Sequence, residues 1–355
     1  LMLLASVSLL NDWQILQERS YTNENYLTAF FNPFFVVGIF FCAAFAFINY
    51  INRDKNYEPT TSPQLAAITR FAIPVVFLAT LYNVFRIEIA NYYISRLIRS
   101  ATANAAAGAN TIFDADFGRY SIIWQINYTM FFLTVLSFVN IKKFRSFTLG
   151  FINLGLSVLF LLIFLASGLY VLGELRASYL MQANAGIFER SVFNILIRYI
   201  SYAFAAGLIY SIYKYLKQDF VEEKLTRRDA IYFFDFIFYI SMLWIASTEL
   251  INWMDIFGFN ESYKLGLSIF WGIYALVLIC LGINRNKKHL RIGAFVLFGA
   301  TLTKIFFYDI AELTTIAKTV VFISLGILLL IASFLYNKYK HLIFEPSESD
   351  VLNET

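Results

Sequence analysis

Apolar residues in this chain come in long unbroken runs, not in alternation or in one stripe of a surface helix. Nine runs lie near the roughly 20 residues that carry a helix across a bilayer. Their bounds are 28–51, 66–92, 120–141, 146–172, 191–215, 230–251, 263–283, 290–310 and 317–337. The runs are too long for strands and lack the two-residue period of a transmembrane barrel. Leu1–Leu10 is also apolar, without a basic start or a small-residue cleavage site. It reads as the end of a further membrane helix, not a signal peptide, and hence as the C-terminal part of a longer chain. The pattern predicts an all-α, polytopic helical membrane protein with nine full transmembrane helices and one partial N-terminal helix. Residues 1–344 form a single transmembrane domain, and residues 345–355 form a disordered acidic tail.

The connections orient these helices. Counting alternate connections, one set holds 16 Lys and Arg and the other holds 8. The richer set, with Lys142, Lys143 and Arg145 and with Arg285, Lys287, Lys288 and Arg291, is placed in the cytoplasm by the positive-inside rule. The C-terminus is then cytoplasmic. Trp13, Trp124 and Trp253 fall near the opposite surface, and Tyr50, Tyr213, Tyr215, Tyr336 and Tyr339 near the inner one, as interfacial aromatic belts do. Only two outer connections, 93–119 and 173–190, are long enough to carry more than a turn.

Composition agrees. Hydrophobic residues are 59%, charged residues 15% and mean hydropathy is +0.63, whereas a typical soluble chain has about 25% charged residues. Cys42 and Cys280 lie inside apolar runs and read as small core residues. No His, Cys and Asp set has metal-ligand spacing, so neither a metal nor a cofactor is expected. Walker and dinucleotide fingerprints are absent from the sequence. No His lies within a span, which argues against acyl transfer with a membrane-embedded His base. Pro33 and Pro74 alone among the prolines touch spans, so a broken-helix transporter mechanism is disfavoured. The spacings Ser201-Ala205 and Ala203-Gly207 offer small-residue faces for close helix packing, and Pro74 should kink its helix.

Ionisable groups at bilayer depth are costly and are candidates for function. Six gather toward the outer side: Arg86, Glu88, Arg198, Glu249, Lys304 and Asp309. Two readings fit them. Three cations and three anions can lock helices together as buried ion pairs. Alternatively they line an outward-facing cavity for a charged substrate, with Arg suited to phosphate or carboxylate. Arg70 and Asp235 lie deeper, toward the inner side. Asp114-Ala115-Asp116 is a D-x-D in the outer connection 93–119. It reads most simply as a solvated turn, and otherwise as a holder of a divalent metal and a diphosphate.

The last part of the chain carries a recognisable pattern. Thr248-Glu249-Leu250 ends one helix, and Ser268-Ile269-Phe270-Trp271-Gly272 opens the next. Gly282-Ile283-Asn284-Arg285 and Leu290-Arg291 form a basic hairpin, followed by Thr303-Lys304-Ile305-Phe306-Phe307-Tyr308-Asp309. Over residues 247–337 this resembles the bacterial predicted membrane protein family called domain of unknown function 2339. The resemblance implies the bacterial inner (cytoplasmic) membrane and recurring positions for Glu249, Lys304 and Asp309. The leading expectation is a transport or translocation component for a charged or lipid-linked envelope metabolite. The alternatives are a non-enzymatic scaffold of an envelope complex and a polyprenyl-linked glycosyl- or phospho-transferase. The partners expected are the lipid bilayer, a lipid-linked or anionic small molecule and envelope proteins, but no nucleic acid.

Overall fold

A computed structural model describes residues 30–51, 63–106, 112–182, 187–222, 224–259 and 263–305 continuously, with scattered positions in 5–28 and 307–334. The chain divides into two compact units, residues 1–224 and 225–355. Every regular element among the described residues is helical. Seven helical stretches are long and apolar enough to cross a membrane. Of the nine spans expected, 290–310 appears as a described helix of 17 residues, short of that criterion, and 317–337 is described only at scattered positions.

In the first unit, α1 is Pro33–Ile51, α2 Pro63–Ala106 and α3 Ala115–Val139, which continues into a π-helical turn, Asn140–Phe144. Next come α4, Phe147–Ile163, a second π-turn, Phe164–Gly168, and α5, Leu169–Met181, as one interrupted helix. Then follow α6, Phe193–Leu216, and the single turn α7, Asp219–Glu222. Helix α3 is the hub, packing against α2, α4, α5 and α6. In the second unit α8, Arg227–Ile256, and α10, Lys288–Lys304, both pack on α9, Tyr263–Asn284.

Local chemistry explains the helix ends. Asn32 caps α1: its Oδ1 accepts from the Phe35 amide at 2.8 Å. Pro33 takes the first helical position, where its missing N–H costs nothing. Between α3 and α4 the Asn140 side chain is fully buried. It donates to the Ser146 carbonyl at 3.0 Å and accepts from the Ser146 amide at 3.1 Å. These two bonds close a hairpin tight enough to put Arg145 at φ 48°. Pro74 sits inside a helix that continues on both sides.

Burial is modest, as bilayer solvation requires. At most 39% of the residues in the apolar window of any span are buried. Bare Phe, Leu and Ile faces such as Phe151, Leu159 and Leu162 on α4 would be untenable in water and match acyl chains instead.

Several sequence expectations change here. Helix α2 runs on to Ala106 and α5 to Met181, so most of the connection 93–119 and the first half of 173–190 are helix. Trp13 is 7% exposed, in a cluster with Cys42, Val84 and Ile87, and is not an interfacial residue. Tyr215 is 2% exposed. Its hydroxyl donates to the Phe147 carbonyl at 3.2 Å, and its ring lies over Gly150, where any Cβ would overlap it. It clamps α6 to α4. Cys280 is exposed on the α9 face that carries Ile273 and Val277, while Cys42 is buried. An apolar run in a membrane protein has a lipid face, so an apolar neighbourhood in sequence does not imply burial. Ser201 and Ala205 are fully buried, as the packing-face reading requires, but Ala203 points outward.

Candidate functional site: a charge cluster and pocket at one end of the first unit

The C-terminal ends of α2 and α5 and the N-terminal ends of α3 and α6 meet at one end of the first unit. The D-x-D stands there, and it is not a solvated turn: Asp114 is 8% and Asp116 3% exposed. Asp114 is the N-cap of α3, its Oδ1 accepting from the Asp116 amide at 3.2 Å. Both carboxylates therefore lie where the unpaired N–H groups of a helix start favour negative charge. The Asp114 amide in turn donates to Ser100 Oγ at 3.0 Å, tying the cap to α2.

Arg190, just before α6, joins the two acids. Its Nη1 lies 2.5 Å from Asp114 Oδ1 and 2.7 Å from Asp116 Oδ2. The three side chains are 6%, 11% and 4% exposed respectively. Asp116 Oδ2 also accepts from Ser178 Oγ at 2.8 Å and Asn194 Nδ2 at 2.7 Å. Asp116 Oδ1 takes Arg119 at 2.8 Å, and Arg119 reaches Glu174 on α5 at 3.0 Å. Tyr120 donates to Asn194 Oδ1 at 2.6 Å. One buried carboxylate thus receives bonds from α3, α5, α6 and the segment before α6. Such a network is stable only when its members are all satisfied.

The π-turn Phe164–Gly168 makes this possible. A π-turn adds a residue to the helical repeat, so every later side chain rotates by about 100° relative to an unbroken α-helix. That change of phase directs Ser178 and Glu174 at α3. Gly168 fits because a Cβ there would come within 2.7 Å of the Phe164 ring.

Beside the network lies a pocket of about 300 Å³. Asp114, Asp116, Arg190 and Asn194 form its polar wall, with Arg96, Glu189 and Ser191, and rings from α2, α3 and α6 form the other. Tyr93 stacks on Tyr120 with centroids 6.1 Å apart, and Tyr120 on Phe193 at 5.8 Å. Tyr92 meets Tyr93 edge-on at 5.0 Å, with the Arg96 guanidinium 5.4 Å from the Tyr92 centroid.

The six candidate charges distribute differently from one another. Arg198 lies on α6 one turn, about 6 Å, beyond Asn194. It is 2% exposed, its Nη2 donates to the Tyr199 hydroxyl at 3.0 Å, and its guanidinium lies 4.9 Å from the Tyr199 centroid. Arg86 and Glu88 are two residues apart on α2, about 200° around the axis, and so do not face each other. Glu88 is 2% exposed and binds the start of α1, accepting from the Phe30 amide at 3.0 Å and from Asn32 Nδ2 at 2.9 and 3.0 Å. In the second unit Glu249 accepts from Asn252 Nδ2 at 3.5 Å, and Lys304 donates to the buried Ser268 hydroxyl at 2.8 Å. Asp309 lies outside the described residues.

The second unit holds another cluster. Asp235 on α8 meets Lys287 at 2.6 Å and His289 at 2.7 Å, at the hairpin joining α9 and α10. Arg291 is 1% exposed and reaches the Gly282 carbonyl at 3.3 Å and Asn286 Oδ1 at 3.4 Å. Gly282 leaves room for its stem, since a Cβ there would lie 2.7 Å from Arg291 Cγ.

Arg190 bears on the metal reading of the D-x-D. Its Nη1 stands between the two carboxylates, where a bridging divalent cation would have to sit. No set of three His, Cys, Asp or Glu residues suited to a metal occurs among the described residues.

Residues 1–339 match a family of predicted membrane proteins, domain of unknown function 2339 (DUF2339). The chain belongs to this family. The match spans both structural units and extends far beyond the C-terminal hairpins that carry the resemblance in sequence. No curated protein and no solved structure matches the chain. This DUF2339 protein is accordingly a multi-pass helical membrane protein, and its chemistry has to be argued from its own residues.

Proposed function

We propose that this DUF2339 protein is a transport or translocation component that receives the polar part of a small or lipid-linked envelope metabolite in the pocket beside Asp114 and Arg190. The observation that supports this is the pairing of a buried polar network with an aromatic wall around one concavity. Ligand sites combine an apolar, aromatic lining with a few fixed polar groups. Here the polar groups are fixed by four chain segments, which costs a membrane protein buried charge that packing alone does not require. In this reading the pocket end faces outward, as the distribution of Lys and Arg between the connections implies. Arg198, one turn further into the helix bundle, would meet a ligand that moves inward. Within the first unit, Arg86 is assigned to a later contact along its passage, and Glu88 to holding the start of α1. The membrane is the bacterial inner membrane. A metal-dependent transferase is not part of the proposal, because Arg190 stands where its cation would bind.

Native mass spectrometry of the mildly solubilised full-length protein tests this. The expected result is a discrete metabolite-sized or lipid-sized adduct that is lost from the Asp114→Asn and Arg198→Gln variants while both still purify as folded, monodisperse protein. A clean protein mass, or an adduct retained by both variants, overturns the proposal. A second polypeptide retained in fixed ratio would instead indicate a scaffold.

A further inference from the structure

Resting on that pocket as a ligand site, we infer that it takes an uncharged, hydroxyl-rich ring: a sugar unit, whether free or as the headgroup of a glycolipid.

Three observations converge. The first is the electrostatic balance of the wall. Asp114, Asp116 and Glu189 face Arg96 and Arg190, a net charge of about minus one. Arg190 is already shared between two carboxylates. A phosphate or carboxylate entering the pocket would meet three acidic side chains and have to draw Arg190 away from them, leaving buried carboxylates uncompensated, which is strongly unfavourable. A cation would compete with the guanidinium that already occupies the place between the acids. A neutral ligand pays neither penalty.

The second is the hydrogen-bonding capacity that remains. Asp114 Oδ1 is engaged by Arg190 and by the start of α3, but Asp114 Oδ2 accepts no hydrogen bond from the described residues. A carboxylate oxygen accepts only, so the group that suits it is a donor such as a hydroxyl. A hydroxyl can donate to that oxygen and accept from an N–H at once, matching a wall that carries both carboxylates and guanidinium groups.

The third is the row of rings. Tyr93, Tyr120 and Phe193 stack with interplanar angles of 23° and 27°. Phe193, at one end of the row, and Tyr92, edge-on to Tyr93 at the other, remain 38% and 40% exposed. A pyranose has a face of C–H groups and a rim of hydroxyls. The C–H face lies against an aromatic ring through weak X–H···π contacts, while the rim reaches the polar wall. A volume of about 300 Å³ is at the small end of the range for small-molecule sites and admits a single ring unit.

Saturation-transfer NMR on the full-length protein in nanodiscs tests this. The probes are free D-glucose, D-galactose, N-acetyl-D-glucosamine and a monoglucosyl diacylglycerol, read by their ring protons, with inorganic phosphate and phosphatidate followed by broadening of their phosphorus signals. The expected result is saturation of sugar ring protons, with affinity falling about tenfold or more in Tyr92→Ala and in Phe193→Ala. Both side chains lie outside the ion-pair network, so the melting temperature should hold. Binding of the free sugars identifies a soluble saccharide, and binding of the glycolipid alone identifies a lipid headgroup. Binding of phosphate or phosphatidate with no sugar signal overturns the sugar assignment, as does sugar binding that neither variant weakens. If the sugars fail while a mass-spectrometric adduct still depends on Asp114, the carrier proposal stands and the sugar falls. If no adduct depends on Asp114 either, both fall.

Discussion

Replacing Arg190 with Leu gives the sharpest test of the charge cluster. The guanidinium makes two charge-assisted contacts, 2.5 Å to Asp114 and 2.7 Å to Asp116, between side chains no more than 11% exposed. Hydrogen bonds to charged groups are worth about 1.5–3 kcal/mol each. Removing one partner of a buried pair costs about 3–5 kcal/mol, because the remaining charge is left without compensation. Asp116 keeps Arg119, Ser178 and Asn194, so the penalty falls mainly on Asp114. The expected loss is about 3–5 kcal/mol, equivalent to a population shift of more than about a hundredfold. Reversible unfolding of the purified full-length protein in mixed micelles would measure it. A double-mutant cycle with Asp114→Asn isolates the pair: the double variant should recover more than half of the loss, because it no longer buries an uncompensated charge. A loss below about 1 kcal/mol is what a solvent-exposed pair would show. That result, or strict additivity in the cycle, would refute the claim that these groups form one buried network.

Other sites give independent tests. Gly150→Ala pushes a methyl group into the Tyr215 ring; overpacking of this kind should cost about 1–3 kcal/mol, and Tyr215→Leu in the same chain should restore part of it in a thermal-shift assay. Asn140→Ala removes both bonds that close the α3–α4 hairpin; a loss of about 1–3 kcal/mol should accompany faster tryptic cleavage at Lys142, Lys143 or Arg145, and an unchanged cleavage rate would count against the clasp. A bilayer-soluble maleimide should label exposed Cys280 well before buried Cys42, a difference read by peptide mass spectrometry. Reporter fusions after Arg145 should be active in the cytoplasm and fusions after Gln182 outside it; the reverse pattern would invert the proposed orientation and place the pocket on the inner side.

Run length and composition determined the class, because no soluble fold can cover this much apolar surface. The helices within 147–172 and 193–215 were legible in the same way. Helix ends were less so: α2 continues through Tyr92, Arg96 and Arg99 to Ala106, since polar residues at the membrane edge stop a hydropathy run without stopping a helix. The two sequence clues to the site were separated by their scale. Asp114-Ala115-Asp116 was visible as a local motif. Its partners Glu174, Ser178, Arg190 and Asn194 lie 55 to 78 residues away along the pairings they make, and nothing in their spacing announces them. The π-turn that phases Ser178 leaves no mark in hydropathy at all. Membrane depth had grouped Arg86 with Glu88, and helix geometry separates them onto opposite faces. Depth is a one-dimensional coordinate that the sequence supplies through hydrophobic length. Which charges meet depends on rotation about each helix axis and on the choice of neighbouring helices. Interdigitated side chains across four chain segments decide both, and only the tertiary structure contains that information.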